Sequence, residues 1–160
     1  MAAARAARLV SVIEEAFSEV EYPGDERLVY DSSGKHLECA EVAAALRGRD
    51  WRELSVEELR YSPSNLFFMT PEAVHYYLPA YLRASVVSYG EAGGIPDTLL
   101  WLLNDPGNSS HDPQVAGLLR RLTAAQRAAI RSFLEFLRDE HGADFPMDDL
   151  SPSAVLEAWR

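Results

Sequence analysis

Apolar side chains recur three or four positions apart along most of this chain, which is the spacing that places them on one face of an α-helix. No pair of alternating strands joined by a hairpin turn is visible. The pattern predicts an all-α fold, a compact single-domain helical bundle over residues 1–160. The predicted helices cover residues 2–21, 36–46, 95–103, 115–122 and 123–140, with short helical turns after Asp50, Ser55 and Ser151.

The densest apolar segment follows Thr70 and is expected to form the central helix of the bundle. Thr70 suits the N-cap, Pro71 suits the first helical position, and Glu72 complements the helix dipole. Residues 66–69 are expected to run extended into this helix. Pro79 lies inside the helical pattern and removes one backbone donor, so the sequence predicts a central helix that is kinked or broken there.

Length and composition are those of one globular domain. The chain has 160 residues, of which 48% are hydrophobic and 25% are charged. No apolar run is long enough to span a bilayer, the first residues lack a signal-peptide pattern, and a lone cysteine, Cys39, offers no internal disulfide. We therefore expect a cytoplasmic location, and the excess of arginine over lysine is typical of a G+C-rich bacterial genome.

The net charge narrows the classes of partner. A formal charge of -10 argues against nucleic-acid binding, which needs a basic surface, and favours a basic protein partner. The candidate partner-binding residues are Glu57 and Glu58, in the most acidic stretch, and Asp105 in a loop. The leading hypothesis is a noncatalytic protein-interaction domain, with an immunity or antitoxin-like protein as one version of it.

A polar stripe on the central helix is the candidate ligand site. Glu72, His75 and Arg83 are spaced so that they lie along one side of a helix, and Tyr76 is adjacent to His75. Arg83 could bind an anion while Glu72 orients His75. The simpler interpretation, which we favour, is the solvent-facing side of an amphipathic helix.

No catalytic motif, cofactor motif or complete metal site is visible. His36 and Cys39 are three residues apart, but zinc needs three or four ligands, and His111 or His141 would complete a site only through the fold. We therefore predict no cofactor, no metal and no catalytic residue. Two alternatives stay open: a small-molecule-binding protein or enzyme with a polar pocket near Pro79, and a homo-oligomer, for which exposed Trp101 or Trp159 would be the sign.

One string of residues resembles a known family. It is Phe68-Met69-Thr70-Pro71-Glu72-Ala73 followed by Tyr76-Tyr77-Leu78-Pro79-Ala80-Tyr81, with Trp51 and Leu54 before it and residues 126–137 after it. Residues 10–140 are similar to a bacterial domain-of-unknown-function family, the one numbered 6714. The resemblance implies no activity, cofactor or catalytic residue.

Overall fold

The computed structural model describes residues 1–104 and 113–160, and the side chains of all of these except 113–116. The described residues form eight α-helices and no strand, which confirms the predicted all-α class. None of these helices has the length and the apolar content needed to cross a membrane. The helices are α1 (Ala2–Ala16), α2 (Leu37–Leu46), α3 (Val56–Tyr61), α4 (Pro71–Val87), α5 (Ile95–Leu103), α6 (Pro113–Arg121), α7 (Ala124–His141) and α8 (Pro152–Glu157).

The helix starts follow the capping residues in the sequence. Thr70, Ser55 and Ser151 each accept a hydrogen bond from the backbone N–H three residues later, at 3.1–3.2 Å. Thr123 and Gln126 form a complete capping box at the start of α7. Local side-chain chemistry therefore sets where these helices begin.

The segment before α4 differs from its prediction. Residues 66–68, expected to be extended, belong to a 3₁₀ segment, Pro63–Phe68, that starts at a proline. Only Met69 is extended, and it forms an isolated antiparallel bridge with Val29. The sequence predicted extended backbone here, but Pro63 begins a helical turn.

Helix α4 lies at the centre of the fold and packs against α1, α5, α6 and α7. It runs from Pro71 to Val87 through the buried Pro79, so the proline does not separate two helices. Most of its side chains are buried, and between its first and last residues only Glu72, His75 and Arg83 are partly exposed. The predicted polar stripe is therefore present but narrow, and the side chains of Glu72 and Arg83 are only 31% and 23% exposed.

Helix α1 ends at Ala16, five residues before its predicted end. The carbonyl of Ala16 accepts a hydrogen bond of 3.0 Å from the side-chain amide of Gln126, which replaces a backbone donor that a longer helix would supply. Leu9, Ile13 and Phe17 are buried where α1 packs against α4 and α7. The apolar pattern predicted another turn of helix after Ala16, but a hydrogen bond from a distant residue, Gln126, forms there instead.

Candidate functional site

Two of the predicted ligand-binding residues lie in one cleft at the start of α4. Glu72 and His75 line an open cavity of about 420 Å³. Tyr76 and Arg83, the other two predicted residues, do not line it. We call this cavity the Glu72 cleft; its other lining residues are Val20, Glu21, Tyr22, Pro23, Arg27 and Arg121.

Two arginines converge on the carboxylate of Glu72. Nη2 of Arg121 lies 3.1 Å from Oε1, and Nη1 of Arg27 lies 3.7 Å from Oε2. Arg27 belongs to the 3₁₀ segment Asp25–Arg27, and its carbonyl accepts a hydrogen bond from the Thr70 hydroxyl at 2.5 Å. Arg121 is the last residue of α6. The cleft therefore joins three segments that are far apart in the sequence.

Helix α6 reaches this position because Gly117 faces the start of α4. A Cβ atom built on Gly117 would lie 2.6 Å from Cγ and 2.7 Å from Cβ of Pro71. These distances are too short for any side chain larger than hydrogen, so the glycine allows the two helices to approach closely. The close approach brings Arg121 within reach of Glu72.

The tautomer of His75 follows from its neighbour Gln126. The Gln126 amide Nε2 donates to the Ala16 carbonyl, and its Oε1 accepts from the Thr123 backbone N–H at 3.0 Å. Oε1 also lies 2.8 Å from Nε2 of His75, so Nε2 must be the donor. In the neutral ring Nδ1 therefore carries the lone pair, and it has no hydrogen-bond partner among the described residues.

Acid is expected to destabilise the protein through His75. Burial, chiefly, and the nearby charge of Arg121 hold the pKa of His75 below its ordinary value of 6.5, although the bond to Gln126 opposes them. Because the unfolded chain then binds a proton more readily than the native chain, this contribution to stability is complete above pH 6.5. It is lost as the pH falls from 6.5 towards the native pKa.

Two measurements check this expectation. The ring proton resonances of His75 should titrate in nuclear magnetic resonance (NMR) spectra with a midpoint below 6.5, and a midpoint at or above that value would contradict the burial argument. His75→Gln keeps a donor close to the position of Nε2 but does not titrate. Urea unfolding of this variant should lose part of the slope of stability against pH between neutrality and pH 5.

Tyr76 and Arg83 have structural partners elsewhere. Tyr76 is buried edge-to-face against Tyr22 and Tyr77, with ring centroids 5.7 and 4.9 Å apart. Burial raises the pKa of the Tyr76 hydroxyl, which therefore remains protonated.

Arg83 stabilises the other end of α4. It donates to the Arg52 carbonyl at 2.9 Å, pairs with Glu14 at 3.4 Å, and its guanidinium lies 5.2 Å from the ring centroid of Trp51. Eight residues separate it from His75, about 12 Å along a helix. The structure therefore does not bring the four predicted residues together.

The predicted acidic pair lies beside a second groove. Glu57 and Glu58 occupy the first turn of α3, and Glu58 pairs with Arg49 at 3.0 Å. Asp105, the third predicted partner-binding residue, lies outside the described residues. We call the groove, of about 490 Å³, the Tyr61 groove; it is lined by Ala45, Leu46, Arg49, Leu54, Glu57, Glu58, Leu59, Tyr61, Asn65 and Tyr81.

The two tyrosines that line the Tyr61 groove differ in exposure. Tyr61 is 91% exposed, whereas Tyr81 is 1% exposed and is a core residue. The Tyr81 hydroxyl has no hydrogen-bond partner among the described residues, and burial raises its pKa, so it remains a neutral donor. Sequence reasoning missed Tyr61, an aromatic residue three positions after the acidic pair Glu57 and Glu58.

The predicted histidine and cysteine pair does not form a metal site with neighbours in the described part of the chain. No group of three or more His, Cys, Asp or Glu side chains there is placed to hold a metal ion. His36 instead caps α2: its Nδ1 accepts from the Cys39 backbone N–H at 3.2 Å, and Nε2 lies 3.2 Å from the Tyr30 hydroxyl. Cys39 is buried, and His111 lies outside the described residues.

Comparison with known proteins identifies a family but no activity, ligand or partner. Neither the search of curated proteins nor the search of solved structures found a match. A family model matches residues 5–160, which is nearly the whole chain and includes both the Glu72 cleft and the Tyr61 groove. The chain therefore belongs to the family of unknown function DUF6714.

Proposed function

We propose that this protein is a noncatalytic interaction domain of the bacterial cytoplasm that binds a basic segment of another protein in the Tyr61 groove. The observation that carries the proposal is Tyr61, whose ring is 91% exposed at the edge of a largely apolar groove. Exposed aromatic rings beside apolar grooves are typical of protein interfaces, where tyrosine offers a large contact area at low entropic cost.

Charge at the groove favours a basic partner. Glu58 is paired with Arg49, but the carboxylate of Glu57 makes no ion pair with any described residue. A lysine or arginine of the partner can therefore pair with Glu57 without breaking an existing contact. The net charge of -10 would also steer a basic protein towards this domain.

The groove also suits one apolar side chain of the partner. Leu46, Leu54 and Leu59 supply its apolar lining. We therefore expect a partner segment that combines an apolar anchor with a neighbouring basic residue. An immunity or antitoxin-like protein that neutralises a basic toxin is one form of this function.

Affinity capture with matched variants tests the proposal. The intact protein is immobilised and exposed to a bacterial lysate, in parallel with Tyr61→Ala, Glu57→Arg and Trp101→Ala. Trp101 is 62% exposed and does not line the groove, so its variant is the control for loss of an exposed aromatic ring. We expect a basic protein that Trp101→Ala retains and that both groove variants lose.

Salt separates the electrostatic part of the interaction from the apolar part. Raising the ionic strength should weaken capture by the wild type, since an exposed pair at Glu57 is screened by salt. A captured protein that Tyr61→Ala and Glu57→Arg both retain, or that only Trp101→Ala loses, would show that the interface lies elsewhere. Loss with Trp101→Ala alone would instead favour the surface around Trp101.

A further inference from the structure

We propose that the Glu72 cleft binds a small zwitterion, of the chemical class of free α-amino acids, at a site separate from the Tyr61 groove. The cleft lies at the start of α4, where Arg27, Glu72, His75 and Arg121 meet. None of these four residues lines the Tyr61 groove, so the two sites can be tested independently.

The balance of charges in the cleft selects for a ligand with both signs. Its lining holds two guanidiniums, Arg27 and Arg121, and two carboxylates, Glu21 and Glu72. A simple anion would be repelled by Glu72 unless it displaced that carboxylate from both arginines. A simple cation would be repelled by Arg27 and Arg121. A zwitterion can insert between Glu72 and one of the arginines that contact it. Its carboxylate then accepts from the guanidinium while its ammonium group donates to Glu72.

The existing ion pairs leave room for such an insertion. Arg27 lies 3.7 Å from Glu72, longer than a close charged hydrogen bond, and its side chain is 71% exposed. It can therefore turn towards a bound carboxylate at little cost. Arg121 makes the shorter contact with Glu72, 3.1 Å, and keeps that carboxylate in the cleft.

His75 supplies a neutral acceptor beside the charged groups. Its Nε2 donates to Gln126, so Nδ1 is the ring atom left for a ligand. A neutral Nδ1 accepts hydrogen bonds, and an ammonium group offers three N–H donors, enough for both Glu72 and Nδ1. Glu72 and His75 are three residues apart on α4, which places them on the same side of the helix.

Apolar groups form the smaller part of the cleft's lining and can contact a ligand side chain. The hydroxyl of Tyr22 donates to Asp25 at 2.6 Å and accepts from the Gly48 backbone N–H at 2.8 Å. Since its donor and one of its acceptor lone pairs are taken, Tyr22 contributes chiefly its ring, together with Val20 and Pro23. A volume of about 420 Å³ falls within the range of small-molecule sites.

Binding of free amino acids to the full chain tests this proposal. The common L-amino acids are screened by NMR chemical-shift changes and by calorimetry. The best binder is then compared with its deaminated acid and its decarboxylated amine. We expect saturable binding of at least one amino acid, and affinity weaker by about tenfold or more for each analogue, since each lacks one charged contact.

Variants locate the site. Glu72→Gln and Arg27→Gln should each weaken binding by about tenfold. Arg27 is the more exposed of the two and makes the longer contact, so its variant will fold even if Glu72→Gln does not. Glu157→Gln is the matched control, because its carboxylate pairs with Arg160 near the end of the chain and lies outside the cleft.

Three results would overturn the proposal: no amino acid binds, the deaminated acid binds as tightly as the amino acid, or Arg27→Gln binds as tightly as the wild type. Tyr61→Ala should leave amino-acid binding unchanged. If that variant loses its protein partner but still binds the amino acid, both proposals stand. If only one interaction is observed in the wild type, only the corresponding proposal survives.

Discussion

Replacing Trp51 with alanine is expected to lower the free energy of unfolding by about 3–5 kcal/mol, the largest loss we predict for a single side chain. Trp51 is fully buried in a short 3₁₀ segment, Trp51–Glu53, that packs against α4. The guanidiniums of Arg52 and Arg83 lie 4.7 and 5.2 Å from its ring centroid. The truncation would leave a cavity and remove two cation–π contacts.

Two control variants distinguish packing from other causes. Trp51→Phe keeps a ring and removes an indole N–H that has no acceptor among the described residues, so it should cost clearly less than alanine. Trp101→Ala removes a tryptophan that is 62% exposed and should change stability much less than Trp51→Ala. Urea unfolding monitored by circular dichroism measures all three. Equal losses for Trp51→Ala and Trp101→Ala would contradict the importance of burial.

Replacing Gly117 with alanine is expected to destabilise the protein, although the same change inside an ordinary helix stabilises it by about 1 kcal/mol. A Cβ atom at this position would lie 2.6 Å from the ring of Pro71, and a proline ring cannot rotate away. Overpacking of this kind typically costs about 1–3 kcal/mol, so we expect a net loss for alanine and a larger loss for Gly117→Val. Thermal or urea unfolding provides the measurement.

The matched control for Gly117 is Gly90→Ala. Nothing lies within 4 Å of a Cβ atom built on Gly90. The free energy of unfolding of the Gly90→Ala protein should therefore differ from that of the wild type by less than about 0.5 kcal/mol. The Gly117 variants should also weaken amino-acid binding, because moving α6 away from α4 separates Arg121 from Glu72. A Gly117→Ala protein as stable as the wild type would show that α6 does not pack closely on Pro71.

The structural features that could be predicted from the sequence are those determined by residues a few positions apart. The caps at Thr70, Ser55 and Thr123 are local, because each side chain bonds to a backbone N–H three residues away. The central position of α4 was predictable from the density of apolar residues after Thr70, and Tyr77 and Tyr81 in this helix are buried. The all-α class was predictable for the same reason, since it depends on helical periodicity.

The composition of the Glu72 cleft could not be predicted, because its charged groups come from distant segments. Residues 27, 72 and 121 meet only after α6 has packed on the start of α4. Helical spacing placed Arg83 on the same stripe as Glu72, but it could not show that Trp51 and Glu14 would contact it. The exposure of Tyr61 likewise depends on how α3 lies against the rest of the fold.

The docking of α1 has a consequence for the order of events during synthesis. The hydrogen bond from Gln126 to the Ala16 carbonyl spans 110 residues, and Arg5 pairs with Asp139 across 134. A nascent chain therefore cannot complete the burial of Leu9, Ile13 and Phe17 until α7 has left the ribosome, because α4 covers only part of this face of α1. Contacts of such long range slow folding, because a large loop must close before they form. Emergence of α7, rather than synthesis of α1 itself, sets when α1 can complete its native packing.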